Sequence, residues 1–252
     1  MDHVGPGRGT AATAPGDPAG SVPAPRWHLL APASRRQQVV DLLRDEIITG
    51  RVAAGEQLKQ DHLCAALGVS PGPVREALRQ LESEGLVEHF PNRGVFVTQV
   101  RTDEFINLLL PVRLAIETYA VPLAAERMTP ERLDQLEGLV LTMERHADEG
   151  DLRAINEADV RFHELTVEAC GSTHSLQLWH SVLPRIRAQI FRLAPRHRDL
   201  HEIAREHRDL LEALTHASPD DLRAAIEHHI VGTATELLRS ARAAGKENPA
   251  DG

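Results

Sequence analysis

Aromatic side chains are scarce in this chain: Phe, Trp and Tyr together make up 3% of its 252 residues. Its cores must therefore be built from Leu, Ile, Val and Ala, which suits helix-on-helix packing better than sandwiches or barrels. Cysteine is rarer still. Cys64 and Cys170 stand far apart and form no CxxC pair, which excludes a disulfide framework and a thiolate metal site. Both fall in apolar helical stretches, so buried free thiols are expected. No continuous apolar run approaches the roughly 18 residues a membrane span needs. The N-terminal run Gly5-Pro6-Gly7-Arg8 lacks the apolar segment of a signal peptide. The expectation is a soluble, cytoplasmic protein with no membrane partner. A basic surplus is also missing, since the net charge is −9. The deficit is local: residues 34–101 carry 9 basic and 9 acidic groups, whereas residues 102–252 carry 17 and 26. Composition alone does not point to nucleic acid; pattern has to.

Apolar residues make up 42% of the chain, and at one domain per roughly 150 residues the length allows two domains. Residues 1–33, rich in Gly, Pro, Ala and Thr, read as a disordered tail. From Ser34, a candidate cap, apolar residues recur at helical spacing (Val39, Val40, Leu42, Leu43, Ile47, Ile48) until Gly50. A connection follows over Arg51–Leu58, then a helix over Gln60–Leu67 stopped by Gly68, the turn Val69-Ser70, and a helix from Pro71 or Gly72 to Glu84. Extended runs Leu86–Phe90 and Gly94–Val100 flank the hairpin turn Pro91-Asn92-Arg93-Gly94. This is the order of a winged helix-turn-helix, and it sets a DNA-binding domain over 34–101. Beyond Thr102 every long segment reads as helix: Asp103–Arg127, Pro130–Glu149, Leu152–Cys170, Thr173–Leu193, His197–His216 and Pro219–Ala243. Pro111, Pro122 and Pro184 should kink or interrupt them. The fold class is mainly α: a winged helix-turn-helix over 34–101, an antiparallel helical bundle over 102–243, and a frayed tail over 244–252.

In a helix-turn-helix the second helix enters the major groove and its N-terminal residues reach bases and phosphates. Ser70, Gly72, Pro73, Val74 and Arg75 stand at that entry. Ser70 can cap the helix and touch phosphate. Arg75 is long enough to pair with guanine or clamp a phosphate. Arg79 lies one turn on, and Arg93, before Gly94 at the hairpin tip, is placed for a minor groove. Arg35 and Arg36 open the first helix and can touch the backbone. The alternative is a solvated face, with Arg79 paired to Glu76 or Glu82.

Asp159 and His163 stand at i, i+4, on one helix face. His207 and His229 fall in later helices. Three imidazoles and a carboxylate would suit Zn²⁺, Ni²⁺ or Mn²⁺. Spacing alone does not decide this, because the chain holds 14 histidines and His197 with His201 forms a rival i, i+4 pair.

Gly55-Glu56-Gln57-Leu58, Leu67-Gly68-Val69-Ser70, Pro73-Val74-Arg75-Glu76-Ala77-Leu78 and Pro91-Asn92-Arg93-Gly94, in this order and spacing, closely resemble the N-terminal domain of the GntR family over residues 35–100. The family usually has Arg and Thr where this chain has Pro71 and Gly72, and often an arginine at Gln57, so operator sequence is expected to differ. Asp159-Val160-Arg161-Phe162-His163, Glu206-His207 and His229-Ile230 resemble the FCD effector domain of the FadR subfamily, in its six-helix VanR-like branch. That resemblance implies Asp159, His163, His207 and His229 as ligands of a divalent metal, Zn, Ni or Mn. It also implies a small-molecule effector, expected to be an organic acid bound with help from Arg113, whose alternative is a salt bridge to Glu117. The family commonly has an Asn after the Asp–His helix, where this chain reads Gly171-Ser172-Thr173-His174, so the pocket lining is altered. DNA heads of this type act in pairs on a palindromic operator, which implies a homodimer. The functional expectation is a ligand-responsive transcription regulator, a repressor, and not an enzyme, with no catalytic residue. Two rivals are a metal-free sensor of an acyl chain and a metallohydrolase; the second has no evident general base and no use for a winged helix.

Overall fold

The computed structural model describes residues 35–243; the expected tails over 1–33 and 244–252 and the Ser34 cap lie outside the described residues. Helix α1 (Arg35–Ile48) forms because Val39, Val40, Leu43 and Ile47 fall on one face at i, i+4 spacing and bury it. Helix α2 (Gln60–Leu67) ends at Gly68, whose φ of 63° is the left-handed conformation that returns its N–H to the Cys64 carbonyl. Helix α3 (Pro71–Ser83) buries Val74, Ala77, Leu78 and Leu81. Strands β2 (Val87–Phe90) and β3 (Gly94–Val97) form the expected hairpin, with Asn92 at φ 62° and Gly94 at φ 103° making its tip. The connection over 51–58 is not irregular throughout. Gln57 and Leu58 form strand β1, paired antiparallel to β3 as Gln57↔Phe96 and Leu58↔Val95, giving the sheet order β1-β3-β2. Two residues show no periodicity, so this strand left no trace in sequence; burial of Leu58 holds it.

Six helices follow: α4 (Thr102–Ala125), α5 (Pro130–Glu149), α6 (Leu152–Ala169), α7 (Thr173–Leu193), α8 (His201–His216) and α9 (219–243). Side-chain caps set their starts. The Thr129 hydroxyl accepts from the Arg132 amide, the Asp151 carboxylate from Arg153 and Ala154, and Ser172 and Ser218 act likewise. Two widened π-turns depart from expectation, Phe105–Leu109 in α4 and His228–Gly232 in α9. The first precedes Pro111, whose ring would crowd the carbonyl four residues back in a regular helix. Pro122 and Pro184 stay inside continuous helix and interrupt nothing. His197 lies outside α8, because a 3₁₀ turn at Ala194–Arg196 intervenes.

Helix α4 is long and apolar enough to cross a membrane by length and composition. Here it is an inner helix, with Phe105, Leu109, Leu110, Ile116, Ala120 and Ala124 in the core and a buried Arg113–Glu117 pair on the same face. Cys170 is buried, whereas Cys64 is partly exposed, against expectation; it packs at the rim of its core.

The described residues form two separate hydrophobic cores, one within 39–97 and one within 100–238. Arg44 grips Glu84 at 2.6 and 2.8 Å and ties α1 to the end of α3. Between the cores, Asp45 on α1 meets Arg153 on α6 at 3.3 Å. Because Leu81 is fully buried in the smaller core, Leu81→Ala should lower stability by about 2–5 kcal/mol in urea denaturation. A loss under about 1 kcal/mol would show that the site collapses around the deletion.

Candidate functional site

Helix α6 brings Asp159 and His163 to one face, α8 supplies His207, and the π-turn of α9 supplies His229. Within that turn His229 faces the cluster while its neighbour His228 stays exposed. One ligand atom from each of the four residues lies within 4.8 Å of all the others. The His207 Nε2 is 2.9 Å from Asp159 Oδ1, and His163 Nε2 is 3.1 Å from His229 Nε2 and 3.9 Å from Asp159 Oδ1. Ligands about one ion with bonds of roughly 2.0–2.2 Å stand about 3–4.4 Å apart, so these spacings are close to those an ion imposes.

Two of the three remaining ring nitrogens are occupied from outside, while His229 Nδ1 makes no hydrogen bond and stands 3.3 Å from Glu206. His163 Nδ1 meets the Glu117 carboxylate at 2.6 Å, and His207 Nδ1 donates to the Ile203 carbonyl at 2.7 Å. With Nδ1 protonated, the Nε2 lone pair of neutral His163 faces the cluster, and the His207 Nε2 is turned to the Asp159 carboxylate. The cluster also leaves a carboxylate oxygen, Asp159 Oδ2, buried without a hydrogen-bond partner. A buried carboxylate with imidazole lone pairs turned toward one point is the donor set of a divalent ion.

Electrostatics agree. Burial pushes Glu117 up, but the charges of His163 and Arg113 outweigh it and hold the carboxyl down at about 2. Asp159 is likewise held below the usual carboxylate range: burial opposes ionisation, and the hydrogen bond and charge of His207 overcome it. Burial lowers His163, and burial together with neighbouring His207 and His163 lowers His229 far below an ordinary histidine. His207 moves up, because Asp159 outweighs its burial. Two of the three imidazoles are thus poised neutral, the form in which they ligate.

Beside the cluster lies a cavity of about 70 Å³, lined by Arg113, Asn156, Glu206 and apolar side chains of α6, α7 and α9. Arg113 makes the salt bridge to Glu117 at 2.7 Å, yet its Nη2 is buried without a partner. The two sequence readings of Arg113 are therefore compatible. Asn156 Oδ1 accepts from Arg187 Nε at 2.9 Å, while its Nδ2 is buried and unpaired. Sequence reading passed over Glu117 as an orienting carboxylate and Asn156 as a cavity residue. The second was visible, since positions 156, 159 and 163 share a helix face. The rival pair separates: His201 meets Asp199 and Asp148, and His197 meets Glu202.

On the smaller core, Arg35, Arg75, Arg79 and Arg93 are exposed. Among the described residues neither Arg75 nor Arg79 has an ion-pair partner, so no bridge to Glu76 or Glu82 forms. Two expectations fail. Val74 is fully buried and points into the core rather than outward, because i, i+3, i+4 positions of α3 make its inner face. The Ser70 side chain makes no capping hydrogen bond and stays exposed; Pro71 at the first helical position removes one of the amides that would need capping. Gly72 and Pro73 are half-buried at the helix start. Arg93 lies 5.5 Å from the rings of Phe90 and Phe96, and Gln57 Nε2 donates to the Arg93 carbonyl at 2.6 Å, fixing the tip next to Gly94.

Residues 35–97 match the family described as bacterial regulatory proteins, gntR family, and residues 108–232 match the FCD domain. A probable D-xylose utilization operon transcriptional repressor of Paenarthrobacter nicotinovorans is 30% identical, over 77% of this chain and 84% of its own. The gluconate operon transcriptional repressor of Bacillus licheniformis is 27% identical, over 80% and 88%. The crystal structure of a putative GntR transcriptional regulator from Rhodococcus sp. RHA1 superposes with a TM-score of 0.67 at 26% identity, covering 82% of this chain and 99% of that one.

Glu117→Gln removes the charge that orients His163. Divalent-ion affinity, measured by competition with a chromogenic chelator, should fall roughly 10–100-fold. Unchanged affinity would show that Glu117 does not position the imidazole.

Proposed function

The chain belongs to the GntR family of bacterial transcription regulators and carries an FCD domain, and on that premise we propose that it is a metal-containing repressor released or tightened on DNA by a small organic acid. Its curated relatives are transcription regulators rather than enzymes. The observation that carries the reading is one place in the larger core. There, Asp159, His163, His207 and His229 converge beside a cavity with two unpaired buried donors, Arg113 Nη2 and Asn156 Nδ2.

In this reading the four residues hold a divalent ion, Zn, Ni or Mn, whose remaining coordination positions can accept an anionic oxygen. Arg113 and Asn156 then supply donors for a carboxylate, with the charge-assisted bond from the guanidinium the stronger of the two. A cavity of about 70 Å³ suits a small acid rather than an acyl chain. One relative is named for a gluconate operon, and gluconate is a carboxylate. Arg75 and Arg79 on α3, Arg35 on α1, Arg93 and Gly94 at the wing tip, and the backbone around Ser70, Gly72 and Pro73 form the DNA face. Two copies would engage a palindromic operator as a homodimer in the cytoplasm; Leu108 and Tyr119 on α4 and Leu178 on α7 leave apolar surface exposed for such a contact.

An effector changes DNA affinity only by its differential affinity for the two arrangements of the DNA heads. A structural route between effector cavity and DNA head exists. Asn156 is held by Arg187; Arg187 and Arg153 both contact Glu157, at 3.7 and 3.2 Å; and Arg153 reaches Asp45 on α1.

The decisive experiment pairs elemental analysis of protein purified without chelators with a thermal-shift screen of small organic acids. His163→Ala should lose the metal and the acid-induced rise in melting temperature while keeping its helices. Stoichiometric metal in that variant would reject the ligand set, and wild-type protein without metal would favour metal-free sensing. Separately, Arg75→Ala should weaken operator binding by about 1–3 kcal/mol in a gel shift if it reads a base; unchanged binding would reject that role.

A further inference from the structure

A second cleft lies between the two cores, well apart from the histidine cluster, with a volume of about 580 Å³. The end of α1 and the strand leaving the wing wall it on one side, with Thr49, Thr98 and Gln99. Helix α7 and the turn after it wall the other, with Arg185, Gln189, Arg192 and Arg196. Those four positions follow i, i+4, i+7 and i+11, so α7 and its continuation direct one polar stripe into the cleft.

Charge sets this stripe apart. No Asp or Glu lines the cleft, and among the described residues none of the three arginines has a carboxylate partner. Elsewhere Arg44, Arg51, Arg153, Arg161 and Arg208 are each paired with carboxylates. The side chain of Arg185 bonds only a backbone carbonyl, that of Ser181. Four buried polar atoms lining the cleft lack any partner: Thr98 Oγ1, Arg185 Nε, Gln189 Oε1 and Arg196 Nη1. Gln189 is only 7% exposed, yet its amide oxygen is unused. The unpaired donors Arg185 Nε and Arg196 Nη1, beside uncompensated guanidinium groups, call for a polyoxygen anion, because the planar fork of arginine matches phosphate geometry. The unused Gln189 oxygen can accept only from a protonated phosphate oxygen or a hydroxyl of the same molecule.

We propose that this interdomain cleft binds a small phosphate-bearing molecule through Gln189, Arg192 and Arg196, with Arg185 at its edge. Beyond Arg185 an adjoining groove holds Glu82, Glu88 and Glu104, which repel an anion from that side and define the edge. The DNA backbone is not the phosphate source. The cleft touches Gly85, past the end of α3, whereas reading begins at Pro71, about 20 Å away along a 13-residue helix. Since both domains wall the cleft, its occupant tightens or loosens DNA binding by the same factor as DNA alters its own affinity.

The test is isothermal titration of the full chain with inorganic phosphate at fixed ionic strength. We expect saturable binding that weakens by about tenfold or more in the double variant R192M/R196M, the loss of at least one charge-assisted hydrogen bond. The variant R192K/R196K, which keeps the charge without the fork, should fall between the two and so separates loss of the site from loss of fold. His163→Ala should bind phosphate as the wild type does, which keeps this test independent of the metal reading. An absence of saturable binding, equal binding by R192M/R196M, loss of binding in His163→Ala, or displacement of phosphate by non-operator duplex would each overturn the proposal.

Discussion

Three imidazoles and one carboxylate are turned toward a single buried point, and the packing of the larger core is arranged around that constraint. His163 Nε2 and His229 Nε2 stand 3.1 Å apart. With the His163 Nδ1 proton committed to Glu117, its Nε2 is a bare acceptor facing a second ring. The contact is satisfied either by the tautomer proton of His229 on its Nε2 or by a cation between the two rings. Burial holds both rings below an ordinary histidine, which keeps them in the neutral form that can ligate a cation. The four ligating residues come from α6, α8 and α9, and α4 contributes Glu117 behind them. A bound ion would therefore tie three of the six helices directly, with α4 braced behind them through Glu117, and metal affinity would be coupled to the stability of the bundle.

The cavity beside the cluster follows from the same packing. Asn156, Asp159 and His163 share one face of α6, so the histidine cluster and the cavity draw on consecutive turns of a single helix. The outer face of that helix carries Arg153, which reaches Asp45 on α1, and Glu157, which pairs with Arg153. The contacts supply a physical connection; coupling itself is a difference in free energy between two arrangements.

Much of this was legible in the sequence. The helices Gln60–Leu67, Pro130–Glu149 and Thr173–Leu193 fall on the expected residues, because apolar periodicity and Gly, Thr, Pro or Ser boundary signals agree there. Six helices after the wing, and the order of the winged helix, follow from the same patterns. What stayed hidden was set by tertiary contact. Strand β1 is two residues long and exists only because β3 lies beside it. The π-turns arise from crowding at Pro111 and from packing of the His229 segment, neither of which leaves a periodic signal. Asp159 and His163 are readable as a helical pair, but bringing His207 and His229 to them took family resemblance, since spacing across separate helices carries no distance. Glu117 looked like a partner for Arg113 and is one; that it also holds His163 depends on α4 and α6 being neighbours. Val74 shows the opposite error, a residue inside a recognisable motif whose role is to fill the core that presents Arg75.

The central claim is that the Asp159–His163–His207–His229 cluster holds one divalent ion. X-ray absorption at the metal edge, recorded on protein purified without chelators or added metal, tests it directly. The account predicts nitrogen and oxygen neighbours at roughly 2.0–2.2 Å with the outer-shell scattering of about three imidazole rings. Sulfur in the first shell, a shell without imidazole scattering, or the absence of any metal edge would contradict it.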